Sequence, residues 1–254
     1  MHLTTKALVL REVNYKEADK ILTALTADEG KMTVSARGVR RKSGATAAAC
    51  QQLCWGEVTL YEYQGRWAVK EAAAERRFEG VRGDLEKLAL ASYFAEVTET
   101  LAEEGQPEPE LLSLTLNSLH ALDKLSLPPT QVKTAFEWKA MALAGYEPMT
   151  DGCAVCGRPE PEKPMLDVVH GIVHCAACKQ PGGLSLPLTQ GTRAALRHIL
   201  YCPDKKLYSF TLERPALRQL DHAAEALTAA QLERSFRTLD YYTSIFPTEV
   251  STYE

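Results

Sequence analysis

The stretch EVTLYEYQGRWAVKE, residues 57–71, decides the fold of the first third of the chain. Apolar and polar side chains alternate on both sides of Gln64-Gly65-Arg66, a pattern typical of two β-strands joined by a tight hairpin turn. Three similar runs precede it, at residues 7–10, 21–25 and 32–36. We therefore predict five antiparallel strands over residues 1–80, forming a small closed or half-open barrel, because closure protects the strand edges. An SH3-like barrel would fit the same pattern.

Beyond residue 81 the apolar residues recur with a helical period of about 3.6. Gly and Pro end or separate the predicted helices, because neither continues a helix without a cost in free energy. A linker-like segment rich in Pro, Gly and Cys is predicted from Pro148 to Pro187. The predicted helices span residues 82–101, 109–125, 129–144, 189–200 and 215–246, and Leu232, Phe236, Leu239, Thr243 and Phe246 form one stripe of the last.

The composition is that of an average globular protein, with 45% hydrophobic and 24% charged residues among 254. These shares exclude wholesale disorder, collagen-like chains and coiled coils. No run approaches the roughly 20 apolar residues that span a bilayer, and no leader-peptide pattern opens the chain, so we expect a cytoplasmic protein with no membrane partner. The formal net charge is −4, yet residues 1–80 carry 13 Lys and Arg against 10 Asp and Glu. Basic character is therefore concentrated in the predicted barrel.

Four cysteines form two C-x2-C pairs separated by 18 residues. That spacing is typical of zinc ribbons, in which two tight knuckles supply the four thiolates of a closed tetrahedral site. Four protein ligands leave no open position, so the pattern predicts one structural zinc ion rather than a hydrolytic metal. A redox dithiol is the competing hypothesis, although no βαβ pattern surrounds the pairs. The predicted ligands are Cys153, Cys156, Cys175 and Cys178, and the neighbouring His174 is interpreted as a surface residue.

Five basic residues stand between Lys31 and Lys42 without an acidic residue among them, and four of the five follow the third predicted strand. Such a run is often only a solvated face, but here it is combined with aromatic and basic residues of the last two strands. Bases stack on aromatic rings while Lys and Arg follow the phosphates, so the combination suits single-stranded nucleic acid. The predicted nucleic-acid-binding residues are Lys31, Arg37, Arg40, Arg41, Lys42, Tyr61, Tyr63, Arg66, Trp67, Lys70, Arg76 and Arg77.

Sequence motifs of common enzyme classes are missing from the chain. It contains no G-x4-G-K-[ST], G-x-G-x-x-G, H-E-x-x-H or G-x-S-x-G pattern. The six histidines are scattered, and no pair of carboxylates stands out from the many Glu residues. We therefore predict a binding protein with no catalytic residues.

An ordered set of short segments resembles the RecO family of bacterial DNA repair proteins. The segments extend over most of the chain, and their order is more distinctive than any one of them. They are Lys6–Arg11 (KALVLR), Glu17–Thr23 (EADKILT), Glu29–Lys31 (EGK), Ala36–Ser43 (ARGVRRKS), Phe136–Lys139 (FEWK) and Gly145–Pro148 (GYEP), followed by the four cysteines.

The resemblance implies an α+β protein with an OB-fold at residues 1–80. It further implies a helical domain in two parts, 81–150 and 188–254, with a zinc finger inserted at 151–187. The implied function is that of a cytoplasmic, nucleoid-associated recombination mediator that binds single- and double-stranded DNA and anneals complementary strands. The implied partners are RecR, the C-terminal tail of the single-stranded DNA-binding protein and, indirectly, RecA.

Two other functions stay open on the sequence alone. One is a non-catalytic scaffold that joins proteins, in which the basic run is a solvated rim without a direct role at DNA. The other is a thiol oxidoreductase that uses a C-x2-C pair. The first predicts that charge reversal in the basic run leaves nucleic-acid binding untouched, and the second that Cys153 acts without holding metal.

Overall fold

A computed structural model describes residues 2–41, 44–178 and 181–247, which divide into two compact units. The first unit comprises residues 2–125 and 236–247, and the second comprises residues 126–235. The first unit therefore contains both the barrel and helices, including one from the C-terminal end. The boundaries predicted from sequence at residues 80, 150 and 187 stay a prediction.

The barrel is closed and consists of five strands in the order β1-β2-β3-β5-β4, with β1 also paired to β4. A short helix, α1 (Ala45–Ala49), lies between β3 and β4 in sequence. This five-stranded closed barrel is an OB-fold, and the predicted α+β class is confirmed. The pairing of β3 with β5 is parallel, whereas all five strands were expected to be antiparallel. The strands are β1 (His2–Tyr15), β2 (Asp19–Thr26), β3 (Gly30–Ala36), β4 (Trp55–Tyr63) and β5 (Arg66–Arg76).

The barrel core follows from the alternation of side chains along each strand. Val9, Leu22, Val34 and Leu60 are buried together inside the barrel, and Trp67 packs against them. Strand β1 is 14 residues long and pairs with β4 along its first half and with β2 along its second half. Its register against β2 shifts between Val9 and Arg11. Such a bulge bends a strand and increases its twist, which helps a sheet of few strands to close.

The remaining helices lie in both units. In the first unit, Asp84 caps the N-terminus of α3 by accepting a hydrogen bond from the Lys87 amide, and a proline begins α4. None of the described helices is both long enough and apolar enough to cross a bilayer. The helices are α2 (Glu79–Arg82), α3 (Leu85–Leu101), α4 (Pro109–Lys124), α5 (Pro129–Leu143), α6 (Gln190–Tyr201), α7 (Arg214–Leu232) and α8 (Arg237–Ile245).

The single helix predicted over residues 215–246 is wrong. Helix α7 ends at Leu232 because Glu233 adopts a left-handed conformation with a φ of 51°, and α8 begins only at Arg237. Between them, Phe236 is buried and packs edge-on against Tyr93, with ring centroids 5.6 Å apart. The apolar stripe is therefore divided between two helices, and the two helices belong to different units.

The second unit contains α5, α6, α7 and a three-stranded sheet of order β7-β6-β8. Its strands are β6 (Pro164–Asp167), β7 (Ile172–Cys175) and β8 (Ser185–Pro187). The segment predicted as linker-like is thus folded, and β7 ends at Cys175, the first cysteine of the second pair.

Gly30, at the start of β3, has no room for a side chain. Its φ is +64°, and an added Cβ would lie 1.9 Å from the carbonyl oxygen of Gln106. We expect Gly30→Ala to lower the free energy of unfolding by about 2–4 kcal/mol, since a left-handed alanine and a backbone clash each cost about 1–2 kcal/mol. Gly105→Ala is the matched control in chemical denaturation, because Gly105 has a φ of +72° with open space around it. If both variants lose the same free energy of unfolding, a steric clash at residue 30 is contradicted.

Candidate nucleic-acid interface and metal centre

The residues that follow β3 form a turn, Arg37–Arg41, which we call the basic turn. Gly38 makes it possible, because its φ of 67° lies in the left-handed region that glycine adopts without strain. The Gly38 amide donates a hydrogen bond of 2.7 Å to Oδ1 of Asp19, at the start of β2. The predicted residue Lys42 lies outside the described residues.

Arg40 connects the basic turn to the connection between β1 and β2. Its Nη1 donates to the carbonyl oxygens of Lys16 and Glu17, at 3.2 and 3.3 Å. Its main-chain amide donates to the carbonyl oxygen of Ala18 at 2.9 Å. Arg40 therefore shapes the surface, and part of its hydrogen-bonding capacity is already used.

Arg37 and Arg41 differ in what their guanidinium groups contact. Arg37 is exposed, and within residues 2–41, 44–178 and 181–247 no acceptor or carboxylate is bonded to its side chain. Arg41 pairs with Glu17 across 2.6 Å, although both side chains are largely exposed to solvent. Among the described residues, nothing engages the guanidinium of Arg37, whereas Glu17 holds that of Arg41 weakly.

Lys31 is not brought together with the basic turn. It lies at the opposite end of β3, about 20 Å along the strand from Arg37 at the usual rise per residue. Its Nζ donates to the carbonyl oxygen of Glu99, near the C-terminus of α3, at 2.9 Å. Lys31 therefore joins the barrel to a helix within the first unit.

The β4–β5 hairpin divides the predicted aromatic residues between two faces. The pairs Tyr61↔Ala68 and Tyr63↔Arg66 place two tyrosines and one arginine on the outer face, where Tyr63 is 58% exposed. Trp67 is on the other face and packs against the barrel core. Tyr63 is therefore available for stacking, Tyr61 is on the same face but only partly exposed, and Trp67 supports the hairpin from inside.

The other predicted basic residues of β5, Lys70 and Arg76, lie at different positions along the strand. Lys70 and Arg37 each follow the parallel pair Ser35↔Ala68 by two residues, on neighbouring strands that run in the same direction. Arg76 lies about 33 Å along β5 from Arg66, paired with Trp55. Lys70 is thus placed near the basic turn. Arg76 and the following Arg77, which contacts Glu79 at 3.5 Å, are at the far end of the strand.

Two residues near the basic turn were missed in the sequence analysis. Tyr15 is 49% exposed at the end of β1, and the Nζ of Lys16 lies 5.3 Å from its ring centroid. Tyr15 ends β1, and Lys16 begins the connection that Arg40 contacts. An aromatic residue followed by a lysine at the end of a strand was the available signal.

The four predicted cysteines come together in the second unit. Their sulfur atoms all lie within 4.8 Å of one another, and the Sγ atoms of Cys156 and Cys175 are 4.0 Å apart. Thiolates on a tetrahedral ion with bonds of about 2.3 Å are separated by roughly 3.8 Å. The cysteine cluster, Cys153, Cys156, Cys175 and Cys178, is therefore close enough to hold one metal ion.

Main-chain hydrogen bonds place the two pairs of the cysteine cluster. The Cys153 amide donates to the carbonyl oxygen of Arg158, and the Ala154 amide donates to that of Val173 in β7. Cys175 ends β7, and a 3-10 turn then positions Cys178. Two short loops are thus held against one another by the sheet, with the sulfur atoms between them.

The surroundings of the Cys153 thiol favour its ionised, thiolate form. Burial disfavours its charged form, but the Cys156 and Cys175 amides donate to its sulfur at 3.5 and 3.3 Å, and the pKa of Cys153 is lowered to about 6. Desolvation together with the neighbouring sulfur atoms raises the pKa of Cys178 to about 12. Four thiols at this distance cannot all ionise without a cation, which a metal ion would supply.

His174 is buried, and its interpretation as a surface residue is wrong. Its Nδ1 lies 2.8 Å from the carbonyl oxygen of Cys175, and its Nε2 lies 2.9 Å from the hydroxyl of Ser185 in β8. Both ring nitrogens are therefore engaged in the sheet, and the four sulfur atoms form the site without it.

Models of known protein families match both the N-terminal and the C-terminal part of the chain. The family model described as Recombination protein O N terminal matches residues 1–74, and the one described as Recombination protein O C terminal matches residues 82–240. The chain belongs to the RecO family. RecO proteins are DNA repair proteins, so the predicted family and its general role in DNA repair are confirmed.

Curated relatives match over nearly their full lengths. The DNA repair protein RecO of Acetivibrio thermocellus is 29% identical over 240 residues, 94% of this chain and 96% of the relative. RecO of Anaeromyxobacter sp. is 36% identical over 87% of both chains, and RecO of Desulforudis audaxviator is 32% identical over 93% and 94%. The family match therefore extends over both units.

Proposed function

We propose that this RecO-family chain binds single- and double-stranded DNA at the end of the barrel that carries the basic turn. Arg37, which is exposed and has no partner among the described residues, next to Arg41 in a turn fixed by Arg40, is the observation that carries the proposal. Lys70 lies beside the turn, and the outer face of the β4–β5 hairpin, with Tyr61, Tyr63 and Arg66, would extend the surface along β5 away from the turn. Connections between strands 1–2 and 4–5 are a usual place for oligonucleotides on OB-folds.

The chemistry of this surface suits strands of any sequence. Guanidinium and ammonium groups that neutralise phosphates release counterions, and exposed tyrosines stack on bases without reading them. Lower repulsion between two bound backbones would help complementary strands to anneal. Pairing would then be selected by the bases themselves, and the chain would contribute no catalytic residue.

The proposed mediator function depends on partner proteins. We propose RecR, the C-terminal tail of the single-stranded DNA-binding protein and, indirectly, RecA as partners in loading RecA onto coated DNA in the cytoplasm, at the nucleoid. Membership of the RecO family and the net charge of −4 support this, because an acidic chain gains little affinity from its overall field. Partners would supply binding energy that the barrel surface alone does not.

We propose zinc as the ion of the cysteine cluster. Four sulfur ligands in a closed arrangement are the set that structural zinc sites use, and zinc supplies a redox-inert cross-link between the two loops. Cys153, Cys156, Cys175 and Cys178 would be its ligands. The redox dithiol hypothesis is less well supported, because all four sulfur atoms converge on one point.

Fluorescence anisotropy on labelled single-stranded DNA, measured across a salt series, tests the DNA-binding proposal. Changing Arg37, Arg40, Arg41 and Lys42 together to alanine should weaken binding. Arg37→Ala alone should reduce the slope of log K against log salt by about 0.7, the value for one phosphate contact on a single strand. Lys31→Ala is the matched control, because it removes the same charge at the far end of β3.

The outcomes separate the proposal from its alternative. Binding that weakens in Arg37→Ala and not in Lys31→Ala supports a DNA surface at the basic turn. Equal salt-dependent binding by the wild type and the quadruple variant would place the DNA-binding surface away from the basic turn. No salt-dependent binding at all would favour a scaffold that joins proteins without a direct role at DNA.

A further inference from the structure

An acidic residue, Glu17, lies inside the proposed DNA-binding surface and contacts one of its arginines. Its Oε2 is 2.6 Å from Nη2 of Arg41. A carboxylate on a guanidinium makes the same charge-assisted contact that a phosphate oxygen makes, so the two anions exclude each other there. We propose that Glu17 is an internal competitor for phosphate, which sets the affinity and salt dependence of strand binding at the basic turn. This inference rests on the proposed function.

The main chain holds Glu17 within reach of Arg41. Arg40 donates to the carbonyl oxygens of Lys16 and Glu17, and its own amide bonds to Ala18. The Gly38 amide is fixed to the Asp19 carboxylate. The β1–β2 connection and the basic turn are therefore bonded at several points, and this tethering gives the Glu17 carboxylate a high effective concentration at Arg41.

The contact is nevertheless weak enough for DNA to displace it. The two side chains are 68% and 87% exposed, so water screens the pair from both sides. Exposed pairs of this kind change an equilibrium constant by about 2–5-fold. Arg37 has no such competitor among the residues that the structure describes. The two arginines are thus expected to act differently, with Arg37 available at all times and Arg41 only after Glu17 has moved.

Glu17→Gln and Glu29→Gln form a matched pair for the test. Both remove one negative charge from the barrel, but Glu29 is exposed in the turn between β2 and β3, at the other end of both strands. In anisotropy titrations with labelled single-stranded DNA, Glu17→Gln should bind about 2–5-fold more tightly than Glu29→Gln at low salt. Its log K against log salt slope should also be steeper, because salt screens the exposed Glu17–Arg41 pair and the advantage of Glu17→Gln therefore shrinks as the salt concentration rises.

The same two substitutions in an Arg41→Ala background complete a double-mutant cycle. If Glu17 acts through Arg41, Glu17→Gln and Glu29→Gln should be equivalent there. The competitor proposal is overturned if Glu17→Gln binds DNA more tightly than Glu29→Gln even in the Arg41→Ala background. It is also overturned if the two variants bind DNA equally when Arg41 is present. When the wild type binds DNA and Arg37→Ala weakens binding, such a result leaves the proposed function standing; absence of binding in every variant overturns both.

Discussion

Replacing Lys133 with methionine is expected to lower the free energy of unfolding by about 3–5 kcal/mol, because it leaves buried carboxylates without their cation. Lys133 lies in α5 and is 1% exposed. Its Nζ contacts Glu137 at 3.1 Å, Asp221 at 2.9 Å and Glu225 at 2.7 Å, the last two in α7. Only Glu225 is partly exposed, so water cannot replace the lysine at the other two.

The titration of this cluster gives the prediction a pH dependence. Burial alone would lower the pKa of Lys133, but three carboxylates raise it well above its usual value. Burial also raises the pKa of Asp221, despite Lys133. A carboxyl group with a raised pKa binds protons more tightly in the folded state, so its contribution to stability is complete below about pH 4 and declines as pH rises through the folded pKa. Without Lys133 this decline should be larger.

The loss in Lys133→Met should therefore shrink when the pH is lowered from about 7.5 to 5. Chemical denaturation gives the free energy, and hydrogen exchange of α5 and α7 amides reports the second unit separately. Lys139→Met is the control in the same helix. Within the part of the chain that the structure describes, the Lys139 side chain bonds to the Leu200 carbonyl oxygen and to no carboxylate, so its loss should cost about 1 kcal/mol. If Lys133→Met and the control lose the same free energy of unfolding, or if the loss in Lys133→Met does not change with pH, the buried carboxylates do not need Lys133 as their cation.

The sequence predicts the strands of the barrel well and their pairing less well. Alternation with a period of two is a local property, and it located β2, β3 and β4 within about two residues of their observed bounds. The parallel contact of β3 with β5 joins residues more than 30 positions apart. The bulge in β1 also depends on closure of the whole barrel, and neither feature has a local signal.

The basic run shows why neighbours in sequence need not share a surface. Lys31 and Arg37 are both basic, but the strand between them separates their side chains by the length of β3, and Lys31 instead meets α3. Trp67 differs from Tyr63 for another reason. Strand alternation across the paired hairpin places the two on opposite faces, which could be read from the period of two.

In the second unit, the cysteine spacing was more informative than the hydrophobic pattern. Strands of three or four residues bounded by Pro and Gly are too short to show a period, so the sequence predicts a linker-like segment where β6 and β8 form. The C-x2-C pairs nevertheless predicted which sulfur atoms would meet. The contact of Lys133 with Asp221, 88 positions away, has no counterpart in any local pattern.

Changing Cys153 or Cys175 to serine is expected to abolish metal binding and to unfold the sheet of the second unit. Both residues are buried, and each supplies one of four sulfur atoms within 4.8 Å. Structural zinc contributes roughly 10–16 kcal/mol to the folding of isolated fingers, and here, where β6–β8 also pair with one another, we expect a loss on the order of 5 kcal/mol. Metal analysis should give one zinc per wild-type chain and almost none in either variant.

Cys202→Ser is the control, because Cys202 lies outside the cysteine cluster and should leave the zinc content unchanged. Hydrogen exchange should show lost protection in β6, β7 and β8 of the cluster variants and unchanged protection in β1–β5. A Cys153 variant that keeps its metal and its stability but loses activity would instead support the thiol oxidoreductase hypothesis.

Removal of zinc from the wild type should affect the proposed metal site without affecting the proposed DNA-binding surface. The cysteine cluster belongs to the second unit, whereas the basic turn is fixed by hydrogen bonds to the β1–β2 connection within the first. Chelation should therefore abolish the protection of backbone amides against hydrogen exchange in the sheet of the second unit. The affinity for single-stranded DNA should change less than about twofold, since none of the proposed phosphate contacts depends on the metal. A parallel loss of DNA affinity would place part of the DNA-binding surface in the second unit.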